Sequence, residues 1–539
     1  MRPLNPNGIS FHHPIAFWLG CALIVAGVLS HWPMLAMGAS VHYHLAGMPM
    51  DTSMLVGMAL IPFGVALAGY GLMPRLEQMR QVLQRARDAM TFHIADSVPL
   101  NSAHWTLVIV LVIALVIDVM KPATLGFVVP GMTAEYEISK KTGGLLAFVA
   151  LIGTTVGSVI WGRIGDLFGR RSAILLSALL FMATAICGAM PSYSWNLAMC
   201  FMMGAAAGGM LPIAFTLMAE TVPAAQRGWL LVALGGIGTS AGYLAAAGAA
   251  TLLEPAFSWR ALWLLNLPTG AVILVLNHWI PESPRFLSSV GLEAQARAVL
   301  AKFTGSASGN AIEPATAAPH DDDESHAITG ARQLLHGRYA RVSWGLVLCG
   351  IAWGLVNFGF VLWLPVNLVH LGVAASGTSA VLAKSALLAL PATVVVVSLY
   401  HRWSSFGTLA LFIALTSAAL LVFAALGFMD LHSSTATLAA TVALLISVSG
   451  VIAMLIPYAA EIYPVQLRGT GSGVIAASSK LGGIIGAGLG VAGFFEHFIA
   501  SALLIAAPMA ISGLMLFRSG VETRGVKLED IQTAISKAT

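Results

Sequence analysis

Asp118 and Lys121 stand three residues apart inside a long apolar run, with Pro122 directly after them. At that spacing a helix carries both side chains on one face, where the two charges can neutralise each other. Lys384 and Lys480 stand in other apolar runs, with no acid in their own segments. Ionisable groups in such surroundings are costly, and they mark a path for ions or charged solutes. The chemistry on offer is reversible charge. Lys121, Lys384 and Lys480 can hold a small organic anion, while Asp118 takes up and releases the coupling proton. Charged, Asp118 pairs with Lys121; neutral, it releases that lysine to substrate. Burial and the neighbouring cation pull this equilibrium in opposite directions, so substrate can set the balance. Plainer readings stand beside this one. Asp118–Lys121 can be a purely structural pair, and Lys384, early in its span, can snorkel to the surface.

Trp353, Asn357 and Trp363 add a candidate aromatic and hydrogen-bonding wall to the same site, with Phe360 between them. An ordinary packed helix face accounts equally well for the aromatics. Asn357 says more, because a buried amide needs a partner. Tyr243 and Tyr458 are weaker candidates. Enzyme chemistry finds no footing: there is no nucleophile–base pair, no Gly-rich phosphate loop and no His/Cys cluster at metal spacing. The fifteen histidines are scattered. His320-Asp321-Asp322-Asp323-Glu324-Ser325-His326 reads as a solvated charge run. Cys21, Cys187, Cys200 and Cys349 all fall in apolar runs, as structural cysteines do. No cofactor and no metal are expected, and a proton gradient is the expected energy source.

What must position these residues follows from composition. The 539-residue chain is 58% hydrophobic and 9% charged, with mean hydropathy +0.85, which excludes an ordinary soluble domain. Lipid is the alternative solvent, and there about 20 apolar residues make a spanning helix. Run lengths give about fourteen spans. Two come first, at 13–39 and 54–73. Six follow at 105–131, 143–162, 172–190, 197–219, 229–252 and 259–280. Six more lie at 342–369, 378–400, 407–427, 435–459, 470–493 and 497–517. With the N-terminus inside, all but six of the 27 basic residues fall in cytoplasmic loops or tails, so both termini are expected in the cytoplasm. The first span also admits a reading as a signal peptide cleaved after Met37-Gly38-Ala39. Residues 74–97 read as a basic amphipathic helix on the inner membrane surface, against anionic lipid. Residues 281–341 form the other polar stretch, and 306–330 is expected to be disordered. The net charge of +4 comes without any basic, aromatic-interleaved stretch, so nucleic acid is not an expected partner.

One polar pattern occurs twice. Ala219-Glu220-Thr221-Val222-Pro223 through Arg227-Gly228 recurs as Ala460-Glu461-Ile462-Tyr463-Pro464 through Arg468-Gly469, each after a long apolar run. Two such loops suggest two homologous halves with a site between them, the architecture of a secondary transporter. Between the second and third helices of the first half lies Gly162-Arg163-Ile164-Gly165-Asp166-Leu167-Phe168-Gly169-Arg170-Arg171, which resembles the signature of the major facilitator superfamily. Leu167 departs from it, standing where the family usually has a basic residue. The second-half equivalent, Arg402-Trp403-Ser404-Ser405-Phe406-Gly407, keeps Phe-Gly but lacks the acid. Pro281-Glu282-Ser283-Pro284-Arg285, Ser258-Trp259-Arg260 and Glu522-Thr523-Arg524-Gly525 look like the sugar-porter and metabolite–proton symporter branch. The seventh core helix lacks the paired glutamines of sugar porters and resembles aromatic-acid and synaptic-vesicle-type members.

The resemblance implies an all-α membrane protein with a major facilitator fold: two pseudo-symmetric six-helix bundles, here with two extra N-terminal spans. The expected domains are an N-terminal pair at 1–73, a linker helix at 74–104, bundles at 105–280 and 342–517, a loop at 281–341 and a tail at 518–539. Gly162, Asp166, Gly169, Arg170, Arg171, Glu220, Arg227, Glu461 and Arg468 are the expected gate and signature-loop residues. The expected function is proton-coupled symport by alternating access, importing a small organic anion through a monomer in the cytoplasmic (inner) membrane. A proton antiporter exporting drugs or metabolites, and a non-transporting solute receptor, remain open.

Overall fold

In lipid a spanning segment has no partner for its backbone except itself, so helices are the available solution for these apolar runs. The computed structural model describes residues 13–72, 99–289, 293–304, 334, 339–365, 368, 378–389, 391–429, 434–463 and 465–523. Among them there is no strand, and twelve helices are long and apolar enough to cross a membrane. The other two expected spans are present in shorter pieces. The 74–97 and 306–330 segments lie outside the described residues.

The N-terminal pair is Pro14–Leu29, continued by Trp32–Gly38, and Thr52–Leu72. Its helices approach backbone to backbone at Gly20 and Gly64 and at Gly27 and Gly57, as small residues permit in lipid. Core helix 1 is Ser102–Glu135, core helix 2 Lys140–Phe168 and core helix 3 Arg170–Ala183. Core helix 4 is not the single span expected. It is split into Tyr193–Ala207 and Met210–Thr221. Pro212 has no N–H to give to the carbonyl of Gly208, four residues earlier. The Ser158 hydroxyl of core helix 2 donates to that carbonyl instead, at 2.7 Å.

Core helix 5 is Ala224–Phe257. Core helix 6 is divided into Arg260–Leu264 and Asn266–Leu276, because Pro268 cannot donate to Leu264. The polar stretch that follows contains two short helices, Pro284–Ser289 and Glu293–Thr304. The second ends against the start of core helix 1, where the Asn101 amide donates to the carbonyl of Phe303 at 2.7 Å.

Core helix 7 is Ala340–Gly354 followed by a π-helical stretch, Leu355–Val361. Core helix 8 is described as Thr378–Ala389 and Ala392–Arg402, on either side of Pro391. Core helices 9 to 12 are Ser405–Phe428, Ser434–Ile462, Val465–Val491 and Phe498–Ser519.

Contacts group the chain into two compact units. The first comprises Met1–Lys121, Ile152–Leu230 and Leu253–His320; the second comprises Pro122–Leu151, Leu231–Leu252 and Asp321–Thr539. Within the second, core helices 7 and 11 lie almost backbone on backbone. A Cβ at Gly354 would fall 2.1 Å from the Ser479 carbonyl and 2.5 Å from the Gly483 nitrogen, and one at Gly482 would fall 2.0 Å from the Ile351 carbonyl.

These distances predict opposite signs for two glycine replacements. Gly354→Ala should destabilise by about 1–3 kcal/mol, because backbone cannot step aside. At Gly248 no atom lies within 4 Å of the added carbon, so Gly248→Ala should be neutral or stabilise by up to about 1 kcal/mol. Thermal melts of both variants in detergent check this, and a stable Gly354→Ala protein would contradict the packing.

Candidate functional site

Core helix 1 buries its charged pair. Lys121 is 1% exposed and Asp118 6%, and the Lys121 Nζ lies 3.5 Å from Asp118 Oδ1. The same ammonium sits 3.6 Å from the ring centroid of Phe181 in core helix 3, so its other side faces an aromatic quadrupole. Pro122 has no N–H to donate to the carbonyl of Asp118, four residues earlier on the same helix. The arrangement keeps a charge in a dry place by giving it two favourable neighbours, one of which can be neutralised by a proton. Removing either charge alone leaves the other buried, a change that costs about 3–5 kcal/mol in comparable pairs.

The other candidates belong to the second unit. Asn357 is half-buried within the π-helical stretch, a distortion that recurs at functional sites. Trp353 is committed to packing: its indole N–H donates to the Val448 carbonyl at 2.9 Å, and its ring meets Phe358 edge-on. Trp363 is likewise committed, stacked on Phe495 at 6.0 Å between centroids. Both rings thus hold the helix in place, Phe360 is buried edge-on against Phe423, and of the wall expected from sequence Asn357 is the part-exposed member.

Lys480 is half-buried in core helix 11. At spacings of four and seven residues it shares a face with Ile484 and Ala487. Those two residues pack with Ala147, Phe148 and Leu151 of core helix 2 and with Phe358 and Leu362. The ammonium therefore belongs to the turn immediately before that apolar plug. Lys384 is placed differently. It is exposed, on a face shared with Leu387 and Leu388, which are 59% and 56% exposed. A lysine among exposed leucines reads as a snorkelling side chain. Tyr243, a weaker candidate, packs on Phe127 with centroids 6.0 Å apart. Tyr458 donates its hydroxyl to the Val521 carbonyl at 2.7 Å.

Of the signature-loop residues, Gly169, Arg170 and Arg171 form the start of core helix 3. The side chains of Gly162, Asp166, Glu220, Arg227, Glu461 and Arg468 lie outside the described residues. Sequence reasoning noted Glu282 and Glu522 as motif letters and missed what they do. Glu282 Oε1 accepts from the Arg170 backbone N–H at 2.7 Å, and its Oε2 accepts from that of Arg171 at 3.2 Å. Gly169, at φ +97°, turns the chain there, and a Cβ on it would sit 2.3 Å from Glu282 Oε2. Glu522 does the same for core helix 9. It accepts from the Ser405 N–H at 3.0 Å, from the Ser405 hydroxyl at 2.6 Å and from the Ser404 hydroxyl. Each carboxylate satisfies orphan donors and complements the positive end of a helix. The signal was available: an acid after the last helix of each half, and a helix start lacking a side-chain cap in the first.

The sequence profile described as Major Facilitator Superfamily matches residues 106–487. The niacin transporter NiaP of Acinetobacter baylyi is 27% identical over 447 residues, covering 81% of this chain and 98% of that protein. The 4-hydroxybenzoate transporter PcaK of Pseudomonas aeruginosa is 26% identical over 434 residues, covering 78% and 93%. Among solved structures, a partially occluded, inward-open xylose transporter XylE from E. coli superposes with a TM-score of 0.61 at 18% identity, covering 79% of this chain and all of that one.

Burial raises the Glu282 carboxyl from 4.5 to about 7, outweighing the N–H donors that favour its charged form. The folded protein therefore holds this proton more tightly than the unfolded chain, so its contribution to stability is full at acid pH and fades as pH climbs through that interval. Wild-type melting temperature should fall more between about pH 5 and about pH 7.5 than that of Glu282→Gln. Parallel pH curves for the two proteins would contradict it.

Proposed function

The chain belongs to the Major Facilitator Superfamily, a family of transporters rather than enzymes, and on that premise we propose that it is a proton-coupled symporter importing a small organic anion. Its place is the cytoplasmic membrane, with both termini inside, as the distribution of Lys and Arg favours. The carrying observation is the buried Asp118–Lys121 pair. A carboxylate paired with a cation that is itself a candidate anion ligand couples two binding events through one charge. A proton arriving at Asp118 cancels the attraction on Nζ, and the ammonium then needs another anion. A substrate carboxylate supplies it. When the proton leaves on the other side, Asp118 recaptures Lys121 and the substrate loses its counter-charge.

Lys480 and Asn357, which belong to the second unit, are separate candidates for a positive and a hydrogen-bonding contact with substrate. The relatives support the substrate class, since niacin and 4-hydroxybenzoate are small aromatic carboxylates and both name proteins similar to this chain along most of its length. An aromatic monocarboxylate is the first class to test.

Purified protein in liposomes with an alkaline interior should accumulate such an acid, and Asp118→Asn should abolish uphill accumulation while sparing exchange of labelled for unlabelled substrate. Accumulation only against an inward proton gradient would instead make it an antiporter, and binding without flux a receptor. A thermal-shift screen should find that stabilising ligands are anions and that Lys480→Met abolishes their shift. An undiminished shift in that variant would remove Lys480 from the site.

A further inference from the structure

Within the first unit, the N-terminal pair packs on the bundle helices through an unusual set of side chains. Met34, Met54 and Met190 are buried at 3%, 1% and 0% exposure in one cluster with Val28, Leu35, Leu45 and Ile186. Met48, Met50, Met58 and Met199 pack against it. Met54 and Met58 are one turn apart on the second N-terminal helix, and Met48 and Met50 lie on the loop before it. Met190 and Met199 come from the bundle. The loop is pinned to the bundle there, since the Gly47 N–H donates to the Pro191 carbonyl at 3.0 Å.

His31 belongs to the same place. It is 1% exposed, its carbonyl accepts from the Leu35 N–H, and Val28, Met34 and Leu35 lie within one turn of it on either side. Its Nδ1 lies 2.9 Å from the Gly27 carbonyl, which can only accept, so Nδ1 carries the proton. Nε2 is then the nitrogen with the lone pair. It is buried and has no hydrogen-bond partner. A buried acceptor left in this way calls for a water or an ion. An imidazole whose far nitrogen is fixed by a backbone carbonyl is also the usual arrangement of a metal-binding histidine.

The donors decide which ion. Neutral imidazole and thioethers are soft ligands and bring no negative charge. Among the described residues no three His, Cys, Asp or Glu side chains form a metal group. The carboxylate near His31 is Asp51, which is exposed and held by the Ser53 hydroxyl and the Met54 N–H at the start of the second helix, so a divalent ion would lack the set of anionic ligands it needs. We propose that His31 Nε2, with thioethers drawn from Met34, Met54 and Met190, forms a site for Cu(I) that clasps the N-terminal helix pair to the bundle. The ion carries one charge and sheds its water readily in favour of sulfur, which suits an apolar enclosure. The thioethers of the 48–50 loop stand at its edge, where an entering ion would meet them first.

The test is anaerobic titration of the purified full chain with Cu(I) against a chromophoric Cu(I) chelator, with Zn(II) as the comparison ion and X-ray absorption at the copper edge. One equivalent should be taken from the chelator, with sulfur and one imidazole nitrogen in the first shell, and Zn(II) should not compete. Met54→Leu combined with Met190→Leu keeps the apolar volume and should weaken binding by more than about tenfold, with melting unchanged when no metal is present. His31→Gln should weaken it by a similar factor, giving a second variant if the leucines disturb folding. Replacing the buried Cys187 and Cys200 by Ala should leave binding intact. Copper left wholly with the chelator, affinity unchanged in both the leucine and glutamine variants, or binding lost with the cysteines would each overturn the site.

Discussion

Two helices in hydrocarbon gain nothing by hiding apolar surface from each other, because the lipid is as apolar as they are. What holds them is contact close enough for dispersion and backbone polarity to act. The chain answers with glycine at the crossings that matter: Gly350 and Gly354 against Ser478, Ser479 and Gly483, and Gly27 against Gly57. Two of the polar residues discussed above are placed by those crossings. Lys480 lies on the turn it occupies because core helix 11 is fixed against core helix 7 on either side of it. His31 is buried because the N-terminal pair closes at Gly27, whose carbonyl also sets the imidazole's tautomer.

The same solvent makes helix breaks expensive and therefore local. Core helices 4 and 6 break at prolines that cannot donate, and at Gly208 the freed carbonyl has a replacement donor in Ser158. At the aqueous ends the solution is different. There the open helix starts carry spare N–H groups, and Glu282 and Glu522 fill them from segments far along the chain. Two halves solve one problem with the same residue type, although the surrounding letters diverge from Gly169-Arg170-Arg171 to Ser404-Ser405-Phe406.

Much of this was legible in the sequence. Apolar run length locates the helices, and the spacing of Asp118 and Lys121 gives their pairing, because both depend only on local geometry. The signature letters around Gly162–Arg171 and the repeated loops give the family. What sequence cannot express is which face of a helix meets which neighbour. Trp353 and Trp363 look like a ligand wall until Val448 and Phe495 are seen to occupy them. Lys384 and Lys480 are alike as letters in apolar runs, yet one stands among exposed leucines and the other beside the plug at Ile484. Glu282 needed its distant partner at Arg170 before its letter acquired a role, and His31 needed the buried methionines of three separate segments.

The π-helical stretch at Leu355–Val361 has a mechanical consequence. A π-turn winds an extra residue into its coil, so its backbone ladder is looser than that of the α-helix on either side. Compliance in core helix 7 is thereby concentrated in seven residues, between a segment locked to core helix 11 at Gly354 and a ring clamped on Phe495 at Trp363. Asn357 rides on the soft link of an otherwise stiff rod. Any tug on its amide is thus converted into local rewinding rather than bending of the whole helix.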